Sequence, residues 1–229
     1  MNIIQEFCLC AIDRLKQSAV ALNVLIPKAE ESQSLEYTCA ILIRSVLSDA
    51  LHVFNAKIVC RGEEDKESRK NLVDFCFSSL ADPINHLIPN IRESTNVENK
   101  EQAYKDIRHY YSRFLEPHGN IKSEPKVKKG AYDVGNFNLS ERIKKDKDLE
   151  KYGFAYEAFL YYSNYEHFGC IYHDFQANGF PTQIDKIKKL VVKLFPWLLT
   201  ITVAILRIEN KEDIHVKHCY DDLTSFCPE

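Results

Sequence analysis

The chain has 229 residues, of which 45% are hydrophobic and 28% are charged. These proportions are ordinary for a globular protein, and the length allows one large domain or two small ones. The formal net charge of −3 excludes the overall basic excess that draws a protein to nucleic acid or to an anionic membrane. Any contact with such a partner must therefore depend on a local patch.

The eight cysteines indicate a reducing compartment rather than a disulfide framework. Met1 opens directly into IIQEFCLCAIDRLK, without the basic start, apolar run and cleavage site of an export signal, so we expect a cytoplasmic protein. Most of the cysteines sit in apolar segments with helical patterning, where a thiol behaves as a small core hydrophobe. We expect these to be buried and reduced: Cys8, Cys10, Cys39, Cys60, Cys76 and Cys170.

One segment, LVVKLFPWLLTITVAIL at 190–206, is apolar enough to raise the question of a membrane span. Its uncharged core from Leu194 to Leu206 is shorter than the roughly 20 apolar residues that a bilayer requires. Lys193 and Pro196 weaken a membrane assignment further. The segment predicts a buried central helix, and no membrane partner is expected.

Apolar residues recur at helical spacing along most of the chain, and no segment shows a persuasive period-two alternation. This pattern predicts an all-α fold, a single bundle of about six helices. The first helix is expected over about residues 2–24, ending before Pro27, and the second over about 34–60. The third begins at EEDKES and ends near Ser79, where the stretch DPINHLIPNIREST predicts a loop.

Three more helices are predicted around one long loop. The fourth is expected over about 98–115, and the polar stretch at about 117–137, with its Gly and Pro residues, predicts a surface loop. The fifth begins near residue 140 and carries YEAFLYYSNYEHFG before NGFP breaks it. The sixth spans roughly 183–208, and the second, fifth and sixth helices are expected at the centre.

No internal repeat or low-complexity tract divides the chain. We therefore expect one domain at 1–209, with the loop at about 117–137 as an insertion, followed by a polar tail at 210–229. The chain contains no GxGxxG, Walker loop, GxSxG or HExxH motif, so nucleotide-dependent and common hydrolytic activities lack support. No cofactor is expected.

Arg44 interrupts the apolar surface of the second helix, with Ser48 and His52 four and eight residues further along. A guanidinium cannot lose its charge and is costly to bury alone, so Arg44 requires a carboxylate, hydroxyl or carbonyl from a neighbouring helix. The fifth helix offers polar side chains on or beside its apolar face: Ser163, Glu166 and His167.

Three interpretations of this cluster stay open. Arg44, Ser48, Ser163, Glu166 and His167 form either a polar contact that sets the register of two central helices or a site that binds an anion or a phosphate. In the second case His167 would serve as acid or base near neutral pH. In the third, Arg44 simply reaches solvent.

The runs ILIRSVLSDALHV and YEAFLYYSNYEHFG resemble a family of bacterial α-helical proteins that pairs an early LLxRSLLE helix with a late YxxxSxxxH helix. The resemblance covers roughly residues 35–175. Arg44, Ser163 and His167 match its pattern. Ser48 stands where the family usually has an acid, with Asp49 adjacent, and Gly169 stands where a small polar residue or proline tends to follow the histidine.

This resemblance implies an α-helical bundle and no established activity. By analogy with similar helical families, it implies a binding or accessory module in bacterial stress or phage defence. The ligand class stays open among an anion, a phosphate and RNA.

A second resemblance is to the HEPN superfamily of helical nucleases, in which an Arg and a His four to six residues apart act on RNA across a dimer interface. Arg113 and His118, in RFLEPH, have this spacing. Phe114 stands where the family prefers a polar residue, and Pro117 breaks the helix before the histidine. The resemblance implies a metal-independent ribonuclease that acts as a homodimer, whereas the alternative is a helix end with basic side chains near its dipole.

The tail IHVKHCYDDLTSFC holds four side chains of types that bind zinc: His215, His218, Cys219 and Cys227. Structural zinc sites typically pair ligands as CxxC or HxxxH, whereas only His215 and His218 form a short pair here. The pattern favours a solvated tail with incidental ligands, and no metal site is expected.

We predict that all eight thiols are free and that folding needs no disulfide. Titration of the unfolded, unreduced protein with a thiol reagent should modify nearly every cysteine. A protected pair would contradict the cytoplasmic assignment. Zinc released together with the tail cysteines would support a metal site instead.

Overall fold

A computed structural model describes residues 2–60, 66–93, 95, 97–117, 123–128, 150, 153–163 and 184–209. Within these ranges the chain forms six α-helices and one short 3-10 helix, so the all-α prediction is confirmed. The helices are α1 (Ile3–Ala29), α2 (Gln33–Cys60), α3 (Lys66–Arg92), α4 (Val97–Tyr111), α5 (Gly153–Ser163) and α6 (Ile184–Glu209), with the 3-10 helix at Ser112–Phe114.

The first helix is longer than its sequence predicts. The side chain of Asn2 accepts a hydrogen bond from the backbone N–H of Gln5 at 2.9 Å, and the Gln5 side chain accepts one from the backbone N–H of Asn2 at 3.1 Å. This capping box starts α1. The prediction that Pro27 ends the helix is wrong, because α1 continues to Ala29. A proline in the last turn removes only one backbone hydrogen bond, and Ala29 is buried in the core.

The third helix also extends beyond its predicted end. The loop predicted after Ser79 is wrong, because α3 continues through Pro83 and Pro89 to Arg92. Ala81, Ile84 and Ile88 are spaced by three and four residues along this second half, and all three are buried. Burial of this apolar stripe offsets the hydrogen bonds that the two prolines remove, so tertiary packing overrides the local sequence signal.

The second helix is the centre of the bundle. It packs against α1, α3, α5 and α6, and α1 packs against α3 and α6 as well. The main core draws buried side chains from these five helices. The sequence correctly places α2, α5 and α6 in this core, and α1 and α3 contribute buried side chains to it as well. The buried face of α1 includes Ile4, Cys8, Ile12 and Leu22.

A second, smaller apolar cluster joins α3 to α4 and the 3-10 helix. It contains Ala81, Ile84, Ile88, Ile107, Phe114 and Leu115. The segment 123–128 runs antiparallel beside it, where the backbone N–H of Lys128 donates to Phe114 O and that of Glu116 donates to Lys126 O, both at 2.8 Å. This short pairing is the described part of the predicted loop at 117–137, and the rest of that loop lies outside the described residues.

Within the described ranges, two helices are long and apolar enough to cross a membrane. They are Leu35–Val59 in α2 and Ile184–Leu206 in α6. Their most apolar stretches have a mean hydropathy of 1.3 and 1.9, and 61% of each stretch is buried within the protein. A core helix of a soluble protein meets the same criterion of length and composition. Both helices contribute to the main core, which accounts for their apolar sequences.

The structure describes four thiols, and all four are free: Cys8, Cys10, Cys39 and Cys76. Burial raises the pKa of Cys8 to about 12, so this thiol stays protonated. The prediction that Cys10 is buried is wrong, because Cys10 is exposed. Two residues along a helix correspond to a rotation of about 200°, so Cys8 and Cys10 point to opposite sides of α1.

Replacement of Phe75 tests the main core. Phe75 is 0% exposed, and its ring lies edge-on to that of Phe7 with centroids 6.1 Å apart. We expect Phe75→Ala to lower the free energy of unfolding by about 3–5 kcal/mol, because it removes buried area and leaves a cavity. Urea unfolding monitored by circular dichroism measures this loss.

Leu87→Ala, in the same helix, is the matched control. Leu87 is 42% exposed, so we expect a change of less than about 0.5 kcal/mol. Equal losses for the two variants would contradict the packing of α3 against α1 and α2.

Candidate functional site

A cleft of about 360 Å³ opens between α1, α2 and α3. The wall from α1 consists of Phe7, Cys10, Ala11 and Arg14. Their spacing of three and four residues places these side chains on one face of the helix. The volume is at the lower end of the range for small-molecule pockets, so the cleft is large enough for a small organic compound.

An ion pair joins the α1 and α2 walls. Arg14 Nε donates to Asp49 Oδ2 at 2.8 Å, and a second guanidinium nitrogen donates to Ser45 Oγ at 3.4 Å. The hydrogen bond with Asp49 raises the pKa of Arg14 above its ordinary value. The side chain of Asp49 is only 20% exposed, whereas that of Arg14 is 58% exposed. The positive charge of Arg14 is therefore matched by the carboxylate of Asp49.

His52, one turn beyond Asp49 on α2, also lines the cleft. Its Nδ1 atom is buried and has no hydrogen-bond partner within the described part of the chain. Burial lowers the pKa of His52 below 6.5, while Asp49 and Asp82 act in the opposite direction and Arg14 adds to the lowering. The imidazole is therefore neutral near pH 7, and Nδ1 can donate or accept one hydrogen bond.

Ser79 brings a second such atom from α3. Its buried Oγ also lacks a partner among the residues that the structure describes. Four other helical hydroxyls bond to the carbonyl four residues earlier, which is the usual arrangement for Ser and Thr in a helix: Ser78, Ser163, Thr200 and Thr202. The Ser79 hydroxyl departs from this arrangement at a position that lines the cleft.

Pro83, which also lines the cleft, affects the backbone next to Ser79. Proline has no N–H, so the carbonyl of Ser79 lacks the donor that residue i+4 ordinarily supplies in an α-helix. Ser79 therefore has two acceptors, its hydroxyl and its carbonyl, that lack their usual partner within α3.

Asp82 and Cys10 complete the polar lining. The carboxylate of Asp82 is 41% exposed and lies 3.5 Å from Nε2 of His86, which is 79% exposed. Partial desolvation of the exposed Cys10 side chain by its neighbours, together with the charge of Asp13, raises the pKa of this thiol despite the opposing effect of Arg14. Cys10 is therefore a protonated thiol near neutral pH, which is a weak nucleophile.

The structure brings two members of the predicted Arg44 cluster to the same turn of α5. The guanidinium of half-buried Arg44 lies over the ring of Phe159, 5.1 Å from its centroid. Ser163 Oγ donates to the carbonyl of the same Phe159 at 2.7 Å. Ser48 is half-buried on α2, whereas Glu166 and His167 lie outside the described residues. The contact of Arg44 with Glu166 and His167 therefore stays a prediction.

The structure describes one residue of the predicted ribonuclease pair, Arg113. Arg113, in the 3-10 helix, forms an ion pair with Glu6 of α1, and its guanidinium lies 4.5 Å from the ring centroid of Phe114. His118 lies outside the described residues, so the distance between the two side chains stays untested.

The tail residues His215, His218, Cys219 and Cys227 also lie outside the described residues. Among the residues that are described, no group of three or more His, Cys, Asp or Glu side chains is arranged to hold a metal ion.

Sequence reasoning did not identify the cleft. Its polar residues stand at helical intervals, with Arg14 four residues after Cys10, His52 three after Asp49, and Asp82 three after Ser79. These intervals place each pair on one face of its helix. The intervals alone do not show that the three faces meet, because this depends on how α1, α2 and α3 pack.

Comparison with protein-family models, with curated proteins and with solved structures finds no match for this chain.

The lowered pKa of His52 predicts a loss of stability on acidification. The unfolded chain takes up a proton near pH 6.5, whereas folded His52 does so only at lower pH. The contribution of neutral His52 to the free energy of unfolding is therefore complete above pH 6.5. It is lost as the pH falls from 6.5 toward the pKa of His52 in the folded protein. We expect His52→Gln to lose less unfolding free energy than the wild type between pH 7.5 and pH 5.5.

Urea unfolding at the two pH values measures this difference. His86→Gln, which removes an imidazole that is 79% exposed, is the control for the loss of a histidine from the neighbouring helix. An identical pH dependence in the wild type and His52→Gln would contradict the burial of this imidazole.

Proposed function

We propose that this protein is a helical binding module whose ligand is a small molecule held in the cleft between α1, α2 and α3. One observation carries the proposal: His52 and Ser79 line the same cleft, and each has a buried polar atom, Nδ1 and Oγ, without a hydrogen-bond partner within the described ranges. A buried polar group left unsatisfied costs about 1–3 kcal/mol. A ligand that bonds to both atoms would remove this cost.

The composition of the cleft supports the same conclusion. Each of the three helices contributes an apolar side chain to the lining beside its polar groups: Phe7, Val53 and Leu80. Small-molecule sites typically combine apolar walls, which supply affinity, with a few polar groups, which orient the ligand.

The arrangement favours binding over nucleophilic catalysis. A catalytic serine requires a base within hydrogen-bond reach, yet Ser79 Oγ and His52 Nδ1 are not bonded to each other. The Cys10 thiol has a raised pKa and so is mostly protonated near neutral pH. The polar groups of this cleft are therefore suited to recognition.

The two sites that the sequence indicated receive less support. The hydroxyl of Ser163 already bonds to Phe159 O, and Arg44 lies over the Phe159 ring, which favours the structural interpretation of that cluster. The charge of Arg113 is matched by Glu6, whereas a ribonuclease needs a cation directed at phosphate. Cleavage of RNA that is lost in Arg113→Ala but retained in Arg108→Ala would favour the ribonuclease instead.

Filling the cleft tests the proposed function. We expect ligand-observed NMR with a library of small fragments to detect compounds that bind the wild type and fail to bind Ala11→Trp. Ala11 lines the cleft, so a bulky side chain there occupies the space of the ligand. Ala204→Trp is the matched control, because Ala204 is exposed on α6 and does not line the cleft.

Circular dichroism and urea unfolding establish that each variant folds. Ala11→Leu, which fills less of the cleft, replaces Ala11→Trp if the larger side chain disrupts the bundle. The proposal is wrong if no fragment binds the wild type, or if every bound fragment binds the filled and control variants equally.

A further inference from the structure

The charges around the cleft are not balanced. The guanidinium of Arg14 is matched by Asp49 at 2.8 Å. Among the residues that the structure describes, the carboxylate of Asp82 on the opposite wall pairs with the exposed His86 side chain of its own helix, at 3.5 Å. His52, the remaining titratable base in the lining, is neutral near pH 7 because burial lowers its pKa. The lining therefore carries one net negative charge, which attracts a cation and repels an anion.

The hydrogen-bonding capacity of the cleft points the same way. In the tautomer that carries its proton on Nε2, His52 accepts a hydrogen bond at Nδ1. Ser79 accepts at Oγ, and its carbonyl lacks the donor that Pro83 cannot supply. Arg14, the strong donor in the lining, directs two of its five N–H groups to Asp49 and Ser45, and its charge is matched by the Asp49 carboxylate. A ligand that supplies several N–H donors fits this set better than one that supplies acceptors.

The apolar part of the cleft limits the rest of the ligand. Phe7 and Ala11 from α1 and Leu80 from α3 line it, and its volume is about 360 Å³. The ligand therefore combines a compact apolar body with its donor group. A divalent cation does not meet this description, and among the described residues no group of side chains is arranged to hold one.

From these features we propose that the cleft binds a small organic amine. Its ammonium group lies beside the Asp82 carboxylate and donates to His52 Nδ1 and Ser79 Oγ, while its apolar body packs against Phe7, Ala11 and Leu80. This inference rests on the proposed function, because it names the ligand class of the same cleft.

Three probes of similar size and different charge test the ligand class: 2-phenylethylamine, 2-phenylethanol and 3-phenylpropanoate. We expect the amine to bind about fivefold more tightly than the alcohol, since a partly exposed charge pair contributes up to about 1 kcal/mol. The carboxylate should bind most weakly. Chemical-shift titration of the wild-type protein measures the three dissociation constants.

Two pairs of variants test the residues. Asp82→Asn should remove most of the preference for the amine over the alcohol, whereas Asp106→Asn, on exposed α4 surface away from the cleft, should keep it. Ser79→Ala should weaken amine binding severalfold. Ser78→Ala is its control, because the Ser78 hydroxyl bonds to Asp74 O at 2.8 Å and does not line the cleft.

The outcomes separate this inference from the proposed function. Tighter binding of the alcohol or the carboxylate, or a preference for the amine that survives in Asp82→Asn, overturns the amine assignment and leaves the cleft as a ligand site. The same conclusion follows if library fragments bind and the amine does not. If no compound of any charge binds, both proposals are wrong.

Discussion

The burial of α2 is the constraint on which the rest of the fold depends. Its side chains at Ile43, Val46, Leu51, Val53 and Ala56 are at most 1% exposed, and at about 100° per residue they cover more than half of the helix circumference. A helix that is apolar nearly all round is stable only inside a protein or a membrane, because each face must be removed from water. Four neighbours, α1, α3, α5 and α6, supply the apolar stripes that complete this burial.

The same constraint positions the polar side chains of α2. A buried helix places its few polar groups at the boundaries with its neighbours, where each must find a partner. Arg44 meets the ring of Phe159 on α5, and Asp49 meets Arg14 on α1. At His52 this requirement is not met within the described chain. The candidate ligand site is thus the position where one such side chain of α2, His52, lines an open cleft.

The extension of α3 through two prolines makes the third wall of the cleft. If α3 ended near Ser79, as its sequence suggests, Asp82 and Pro83 would belong to a loop. Packing of Ala81, Ile84 and Ile88 into the second apolar cluster keeps this half of the helix in place. Pro83 then deprives the carbonyl of Ser79 of its helical donor, so a local irregularity of α3 becomes part of the site.

The sequence by itself determined the all-α class, the positions of α2, α4 and α6 to within a few residues, and the burial of α2 and α6. These properties follow from the period of apolar residues, which is local. The ends of α1 and α3 and the candidate site were decided by the tertiary structure. In the local sequence, Pro27, Pro83 and Pro89 predict helix ends. Both α1 and α3 continue past these prolines because neighbouring residues such as Ile84 are buried in the tertiary structure. Likewise, Arg14, His52 and Ser79 are separated by many residues along the chain. They share a cleft because α1, α2 and α3 pack against one another. Helical periodicity gives the direction of a side chain around its own axis, whereas a site between helices depends on long-range packing that no local pattern encodes.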